Sequence, residues 1–414
     1  MQPCRGDSTI CLNFGSREDY EECVGDASLY RRHVEEQYRQ HPELFPEGMG
    51  SGFVLHSNRT SSKLGIVLRR IQVKTSKVTF WIRPSLAMPY MVAFTDDVEK
   101  GLFLLHHGAS FEALDYAFGH NHMFWYRASA ALGRCSIVGT TVKSPGHLPQ
   151  HVVADEKHTT IRGEKAYLAM TAAAGCILGA EVSTAASTTA LTKSYGVFAD
   201  EARDVDPEYA PKTVCLDPWK PARQAWQKLF PAICLILCFL HSVLKLRKSR
   251  PTGVTRKRLI GRSWHVYAAR TKAQFSQRLR RLREWAETNL PAGSLLNAVR
   301  AMFDKRDSFT PAYGFNAAHR TTNHVDRLMD HMDRRLYAMR YFHGTTVSAS
   351  LTARSSALLW NFHPYGRRAR PRAAWTSSPF SELNGFSYHE NWLHNLLIAS
   401  SMGGRRRHTQ VGAT

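Results

Sequence analysis

Three aspartates in distant parts of the chain, Asp155, Asp217 and Asp326, stand where their carboxyl groups could act together. Asp155 ends the apolar run HVVAD, and Asp217 ends the apolar run TVCLD. A carboxylate at the end of a buried strand is costly unless it is paired, hydrogen-bonded or bound to a metal. Two adjacent carboxylates repel each other, so one of them takes up a proton unless a cation is present. The pattern therefore points to a divalent cation.

Magnesium is the cation that this donor set suits best. Mg²⁺ prefers oxygen ligands, keeps several waters, and is commonly held by one or two carboxylates together with substrate phosphate. Two such ions, about 3.5–4 Å apart, activate an attacking hydroxyl and stabilise the leaving oxygen at phosphorus. Asp326, on a helix that follows the sheet, would supply the third carboxylate.

Each aspartate also has an ordinary explanation. Aspartate at the end of a strand is often a turn former or a helix cap. Asp326, Asp330 and Asp333 follow i, i+4 and i+7 spacing and so share one helical face, where pairing with neighbouring arginines explains some of them. Spacing alone does not choose among them, and Asp326 is the preferred third member of the set with Asp330 as the reserve.

A sheet and a covering helix must position these carboxyl groups. The runs HVVAD, EKAYLAMTAAA and CILGAEVS are typical of three successive strands, with Gly163 and Gly175 at the turns. A helix over residues 190–203 follows, then TVCLD as a fourth strand, PARQAWQKLF as a helix, and AICLILCFLH as a fifth strand. This order predicts an α/β fold with a mixed sheet. The first and fourth strands are expected to be neighbours, which brings the first two aspartates together.

Three regions precede this sheet. Residues 1–40 are polar and are predicted to be a loosely ordered leader. Residues 41–90 contain the runs LGIVLRRIQV and KVTFWIRP, which indicate a small β-rich unit. Residues 91–145 have helical periodicity with breaks at Gly108 and Gly119. Three short helices with a glycine turn before the last describe a helix-turn-helix, and the alternative is a plain helical bundle.

The last helix of a helix-turn-helix enters the major groove, where its first turns face the bases. This places four side chains at the DNA surface: His122, Trp125, Tyr126 and Arg127. In a plain bundle, Phe124 and Trp125 would be core residues instead.

The chain is strongly basic. It has 55 Lys and Arg against 34 Asp and Glu, a formal net charge of +21 and a pI of about 9.8. Such a charge favours a polyanionic partner, either nucleic acid or an anionic membrane surface. Residues 245–283 contain fourteen Lys or Arg and no acidic residue, which indicates helices that contact DNA phosphate or a solvated surface. Residues 367–414 are predicted to be a basic C-terminal tail.

Neither export nor a membrane span is predicted. The first 40 residues lack the apolar stretch of a signal peptide. The longest apolar run, from Leu229 to His241, is well short of the roughly 20 residues that cross a bilayer. Eight cysteines spread along the chain suggest reduced thiols. We expect a cytoplasmic protein that associates with the nucleoid.

Four ordered segments, VVADEKHT, VCLDPWKPARQAWQKLFP, CFLH and HRTTNHVDRLMDHMDRR, together resemble a known family. They are similar to the catalytic domain of DDE-type DNA transposases of the bacterial insertion-sequence and mutator-like group. The resemblance spans about residues 101–361. It implies a ribonuclease-H-like catalytic domain over residues 146–366, with an all-helical insertion at about 245–315.

The resemblance also implies roles for individual residues. Asp155 and Asp217 match the first two acids of the family, and Cys238 and His241 match a Cys-x-x-His motif that lies near the site. Asp326 stands at the position of the third acid, which is usually glutamate. Because aspartate is one methylene shorter, its helix would have to sit closer to the metals.

The implied function is that of a DNA transposase. Such an enzyme binds terminal inverted repeats and uses two Mg²⁺ or Mn²⁺ ions to cleave the DNA strand and join its 3′ end to a target. Its partner is double-stranded DNA, on which it acts as a homo-oligomer, and it needs no membrane. Two alternatives remain: a non-catalytic DNA-binding regulator, and a metal-dependent nuclease of the same fold.

Overall fold

The computed structural model describes residues 8–248, 253–366 and 377–405. Within them the chain is a mixed α/β protein with two sheets, each containing parallel and antiparallel pairs. The strands are β1 (Thr9–Leu12), β2 (Phe53–Thr60), β3 (Val67–Val73), β4 (Thr79–Pro84), β5 (His151–Ile161), β6 (Glu164–Ala173), β7 (Cys176–Ser183), β8 (Thr213–Leu216) and β9 (Cys234–Leu237). The α-helices are α1 (Arg17–Gly25), α2 (Ala27–Gln40), α3 (Thr95–His106), α4 (Phe111–Phe118), α5 (His122–Leu132), α6 (Ile137–Thr141), α7 (Thr188–Val205), α8 (Lys220–Leu229), α9 (Phe239–Lys248), α10 (Gly253–Tyr267), α11 (Lys272–Asn289), α12 (Ser294–Asp304), α13 (Arg306–Phe309), α14 (Asn323–Ala338), α15 (Thr346–Phe362), α16 (Pro379–Asn384) and α17 (Trp392–Ala399).

The larger sheet has the strand order β7-β6-β5-β8-β9. Its first three strands form an antiparallel meander, and β8 and β9 continue the sheet in parallel beside β5. The prediction that the first and fourth strands of this sheet are neighbours is therefore confirmed. In their register Val153 stands opposite Cys215. Asp155 and Asp217 each lie two residues beyond this pair, so their backbones lie side by side.

Both hairpins of the meander close with two-residue turns. Arg162 and Gly163 have φ values of 53° and 84°, and Ala174 and Gly175 have values of 49° and 79°. Two successive residues with positive φ match the right-handed twist of the flanking strands, and glycine adopts such a φ at little cost. The predicted turns at these two glycines are confirmed.

The fifth strand of this sheet is shorter than predicted. β9 ends at Leu237, and α9 begins at Phe239, so His241 lies on a helix rather than in a strand. The last hydrogen bond to β8 runs from the backbone N–H of Cys238 to the carbonyl oxygen of Leu216, at 2.9 Å. The sequence did not reveal this boundary because a short, continuous apolar run fits a buried strand and a buried helix equally well.

The smaller sheet has the order β1-β4-β3-β2 and includes the two strands predicted for residues 41–90. Its first strand comes from the predicted leader and pairs in parallel with β4. The helices α1 and α2 follow, capped by Ser16 and Asp26, and both Tyr20 and Tyr30 are fully buried. The expectation of a loosely ordered leader is therefore wrong over residues 9–40. Their polar composition hid the few aromatic anchors that fix them.

The three helices α3, α4 and α5 lie where a helix-turn-helix is predicted, and they pack on the remainder of the protein. The guanidinium of Arg335, in α14, donates hydrogen bonds of 2.7 Å to Ser129 in α5 and Ser356 in α15. One hydrophobic core runs from the smaller sheet through these helices to α14, α15 and α17.

The predicted basic tail is wrong over residues 377–405, and the rest of that prediction lies outside the described residues. Two helices, α16 and α17, occupy this stretch, and Leu393, Leu396 and Leu397 are fully buried. The Arg-rich composition on either side of this stretch concealed two short, largely buried helices that complete the core.

Between β9 and α14 the described chain is helical, as predicted for residues 245–315. Helices α9 to α13 enclose a hydrophobic cluster of their own, which contains Phe275, Leu279 and Val299. None of the helices in the described ranges is both long and apolar enough to cross a membrane.

Candidate metal centre

Three carboxyl groups from three elements meet where β8 ends. Asp155 lies within β5, which continues to Ile161, so the prediction that this aspartate ends its strand is wrong. Asp217 directly follows β8, and Asp326 lies in the first turn of α14. The charge of Asp217 acts on both other carboxyl groups, and Asp155 is hydrogen-bonded to Asp326. The chain therefore brings the three predicted acidic residues together, two through strand register and the third through the helix that covers them.

Burial and mutual repulsion raise the pKa values within this cluster. Burial raises the pKa of Asp155 to about 8, and the charge of Asp217 adds to this rise. Burial also raises the pKa of Asp326, against the opposing charge of His241. Without a cation Asp155 keeps its proton at neutral pH, as expected for carboxyl groups that share a buried site.

Asp217 is held by His241 from the first turn of α9. Nδ1 of His241 lies 2.5 Å from Oδ1 of Asp217, and neither atom has another hydrogen-bond partner within the described parts of the chain. Burial lowers the pKa of His241, but the hydrogen bond and charge of Asp217 outweigh it and raise the pKa to about 10. The imidazolium fixes the orientation of this carboxylate, as groups behind metal ligands commonly do.

Cys238 ties the start of α9 to the start of α14. Its sulfur accepts a hydrogen bond from the backbone N–H of Thr322 at 3.2 Å and lies 3.3 Å from the hydroxyl of the same residue. Burial opposes ionisation of the thiol, yet hydrogen bonds with Cys215, His241 and Thr322 lower its pKa to about 4. Because only 1% of Cys238 is exposed, this thiolate positions its neighbours and is not accessible as a nucleophile.

Asp217, Cys238 and His241 also offer ligand atoms that all lie within 4.8 Å of one another. A thiolate and an imidazole are ligands typical of zinc, whereas three carboxylates are typical of magnesium. In the metal-free site both the imidazole of His241 and the carboxyl group of Asp155 hold protons, and a metal would have to displace the proton from either. The three carboxyl groups come from three elements and offer only oxygen ligands, so this donor set suits Mg²⁺.

The other two aspartates of α14 do not join the site. Asp330 is exposed, and the carboxylate of Asp333 lies 2.5 Å from the ammonium of Lys157. Of the three aspartates that follow helical spacing, Asp326 alone is part of the cluster, so the structure favours it over the reserve residue.

Sequence reasoning missed two residues beside the cluster. Glu156 accepts a 2.6 Å hydrogen bond from the hydroxyl of Tyr195, in α7. Burial raises the pKa of Glu156 to about 7, and the charge of Asp217 contributes to the rise. Glu156 directly follows Asp155 in β5, so its side chain points to the opposite face of the strand, towards α7. Nothing in the sequence marked Tyr195.

The predicted DNA-facing side chains of α5 lie in different environments. Trp125 is fully buried, and its indole N–H donates to the carbonyl oxygen of Gly119 at 3.2 Å. The prediction that it faces DNA is therefore wrong, because this ring is needed in the core, as in a plain bundle. His122 and Arg127 are exposed and Tyr126 is half-buried, so their contact with DNA stays a prediction.

Neither the comparison with protein-family models nor the comparison with curated proteins returns a match to this chain. The chemistry must therefore be argued from the site. Three carboxyl groups, one buried and two half-buried, meet where β8 ends, and the chain carries a large positive charge. Such a site can bind divalent cations and present them to a polyanionic substrate.

Proposed function

We propose that this chain is a DNA transposase of the DDE type, with a ribonuclease-H-like catalytic domain that cleaves DNA and transfers the cut strand. The observation that carries the proposal is the convergence of Asp155, Asp217 and Asp326, one of them buried and two half-buried, where β8 ends. Among the described residues none of the three forms an ion pair with lysine or arginine, and the one ion pair of the set is that of Asp217 with His241. One imidazolium does not balance three carboxylates, so full ionisation of the set calls for a cation from solution.

The fold supports this proposal. An antiparallel meander that continues into two parallel strands is compatible with a ribonuclease-H-like sheet. The helical segment between β9 and α14 stands where the family resemblance expects an insertion before the third acid. The net charge of +21 suits an enzyme whose substrate is double-stranded DNA.

Asp155, Asp217 and Asp326 would hold two Mg²⁺ or Mn²⁺ ions. When bound, these ions lower the barrier for attack at phosphorus by stabilising the attacking and leaving oxygens. His241 keeps Asp217 in one orientation, and the contact between Cys238 and Thr322 holds the first turn of α14 against the sheet. Because water or a DNA hydroxyl is the nucleophile, no serine or tyrosine of the chain needs to form a covalent bond with DNA.

DNA contact is assigned to the basic surfaces. The helical segment α10–α11 exposes Arg256, Lys257 and Arg281, and α5 exposes Arg127. Contacts of this kind are mainly to phosphate, and they weaken steeply as salt rises. Two transposon ends must be cut and joined together, so we propose that the active form is a homo-oligomer assembled on DNA.

The test is a cleavage and joining assay with DNA that ends in the sequences flanking the coding region. We expect nicking and joined product in Mg²⁺ or Mn²⁺ and neither in chelator. Asp155→Asn and Asp217→Asn should lose cleavage by on the order of 100-fold or more, a loss at least as large as for groups that only orient metal ligands. Asp333→Asn, which removes a carboxylate outside the cluster, is the matched control.

The outcomes separate the proposal from its two alternatives. Cut ends without joined product, with the partner end present, would identify a nuclease. Binding of DNA that is unchanged in the Asp155→Asn variant, with no metal-dependent cleavage by the wild type, would identify a regulator. Equal loss of activity in the Asp333→Asn control would overturn the assignment of the carboxyl cluster.

A further inference from the structure

Four histidines from three helices meet at a second position. His106 ends α3 and His107 follows it, His331 lies in α14, and His363 directly follows α15. The ring centroids of His106 and His363 are 3.8 Å apart, those of His106 and His331 are 4.1 Å apart, and those of His107 and His363 are 4.9 Å apart. Nothing in the proposed function uses this cluster.

Two buried ring nitrogens of the cluster have no hydrogen-bond partner within the described ranges. His106 and His331 are only 4% and 5% exposed, yet Nδ1 of His106 and Nε2 of His331 have no hydrogen-bond partner among the described residues. Nε2 of His107 and Nε2 of His363 lie 3.1 Å apart. A buried polar nitrogen without a partner costs about 1–3 kcal/mol, so a cluster that leaves two of them needs an explanation.

These imidazoles are neutral. Burial lowers the pKa of His331 to about 3 and that of His363 to about 4, and it also lowers the pKa of both His106 and His107. Neighbouring arginines of α14 add to the effect. Neutral imidazole is the form that binds a metal, and it is available here across the physiological pH range.

We propose that His106, His107 and His363 form a Zn²⁺-binding site. Their ligand nitrogens all lie within 4.8 Å of one another. In a tetrahedral zinc site with Zn–N bonds of about 2.0–2.1 Å, the ligand nitrogens are about 3.3 Å apart, close to the separation seen between His107 and His363. A set of imidazoles suits Zn²⁺, whereas Mg²⁺ requires oxygen ligands.

One ring must turn for the three nitrogens to converge. The rings of His106 and His363 are stacked, with an angle of 15° between their planes, so their lone pairs do not meet. His363 is half-buried and lies past the last residue of α15, and His107 is exposed. Turning the ring of His363 would break its stacking on His106 and on Phe103, whose ring centroid lies 5.1 Å away, so the zinc bonds must offset this loss.

The proposed site would join α3 to the end of α15. His331 packs on His106 from α14, the helix that carries Asp326 five residues earlier. Zinc binding at this point would therefore stabilise the helix that supplies the third carboxyl group. The proposal does not depend on the enzyme activity, because zinc affinity is measured without DNA.

The experiment uses Co²⁺ and Zn²⁺ with the full chain. Co²⁺ bound by imidazoles gives visible ligand-field absorption, and Co²⁺ bound by a thiolate adds a charge-transfer band in the near ultraviolet. We expect the visible bands without the thiolate band, and a rise in Tm on adding Zn²⁺ that a chelator reverses. The spectrum thereby separates this site from Cys238.

His107→Ala and His363→Ala should each weaken Zn²⁺ binding by at least about 10–100-fold and abolish the zinc-dependent rise in Tm. Their Tm without metal should match that of the wild type, because neither ring is fully buried, and this shows that the variants fold. His56→Ala removes an exposed histidine of β2 and is the control. Unchanged zinc affinity in both ligand variants, or a thiolate band that disappears in Cys238→Ser, would overturn the proposal.

Discussion

The carboxyl cluster and the histidine cluster lie along the same helix, α14, and burial acts on them in opposite ways. Burial raises the pKa of Asp155 and Asp326, so the acids hold protons that they would lose in water. Burial lowers the pKa of His106 and His331, so the imidazoles lose protons that they would hold at mildly acidic pH. In both clusters the low-dielectric surroundings disfavour the charged form.

The two clusters differ in the kind of metal ion that each can bind. Ionised carboxylates repel one another and bind hard cations strongly, whereas neutral imidazoles repel one another little and donate lone pairs to softer metals. Under the two proposals, the carboxyl cluster would bind Mg²⁺ or Mn²⁺ and the histidine cluster would bind Zn²⁺. The helix α14 would then supply Asp326 to the first site and, in His331, a side chain that packs on a ligand of the second.

The largest expected effect tests whether the carboxyl groups act as a set. Asp326→Asn should lower the rate of metal-dependent DNA cleavage by on the order of 100-fold or more, since it removes a metal ligand. Asp330→Asn, one turn away on the same helix, should stay within about twofold of the wild type, because substitutions at exposed positions change free energies by less than about 0.5 kcal/mol. Rates are measured as nicking of labelled DNA. Equal losses of cleavage in both variants would mean that cleavage depends on the integrity of α14 and not on the carboxyl group of Asp326.

A smaller loss of DNA cleavage is expected when His241, which orients Asp217, is replaced. His241→Asn should lower cleavage by about 10–100-fold, as is typical for a group that orients a metal ligand. The loss should shrink when Mn²⁺ replaces Mg²⁺ at high concentration, because weakened metal affinity is then compensated by mass action. Activity that stays low at every metal concentration would instead place His241 in the chemical step.

The pH dependence of stability distinguishes the two clusters further. Asp155 has a folded pKa of about 8, against about 3.9 in an unfolded chain, so between these values the folded state binds more protons. The stability of the wild type in chelator should therefore fall as pH rises through this window, relative to Asp155→Asn. We expect the difference in Tm between the two proteins to change by on the order of 1–3 °C from pH 5 to pH 8.

Magnesium supplies the control for this pH effect. Adding Mg²⁺ should restore the stability of the wild type near pH 8, because the cation replaces the proton, and it should do little for Asp155→Asn. A difference between the two proteins that does not vary with pH would show that Asp155 is ionised in the folded, metal-free state.

The sequence predicted the carboxyl cluster far better than the histidine cluster, and the reason is physical. Asp155 and Asp217 each end an apolar run, so strand adjacency alone brings them together. His106 and His363 belong to helices whose relative placement depends on core packing, which periodicity does not encode. Trp125 was misplaced for the same reason, since an aromatic residue at helical spacing fits a core and a DNA surface equally well.

The sequence also predicted the ends of strands and helices poorly. The run AICLILCFLH is predicted to be one strand, yet the strand ends at Leu237 and His241 belongs to a helix. This change matters to the site, because a helix allows His241 to reach back to Asp217 from three residues after Cys238.

The smallest expected effect concerns the independence of the two clusters. Asp326 and His331 are five residues apart in α14, which is about 7.5 Å along the helix axis. If each cluster affects only its own surroundings, Asp326→Asn and His107→Ala should change the free energy of unfolding additively, within about 0.5 kcal/mol, in metal-free buffer. With Zn²⁺ present, we expect His107→Ala to weaken Mg²⁺ binding slightly, because α14 is then less firmly held. A double-mutant cycle measured with and without Zn²⁺ checks both statements. Strong coupling in metal-free buffer would mean that α14 already transmits changes between the clusters without any metal bound.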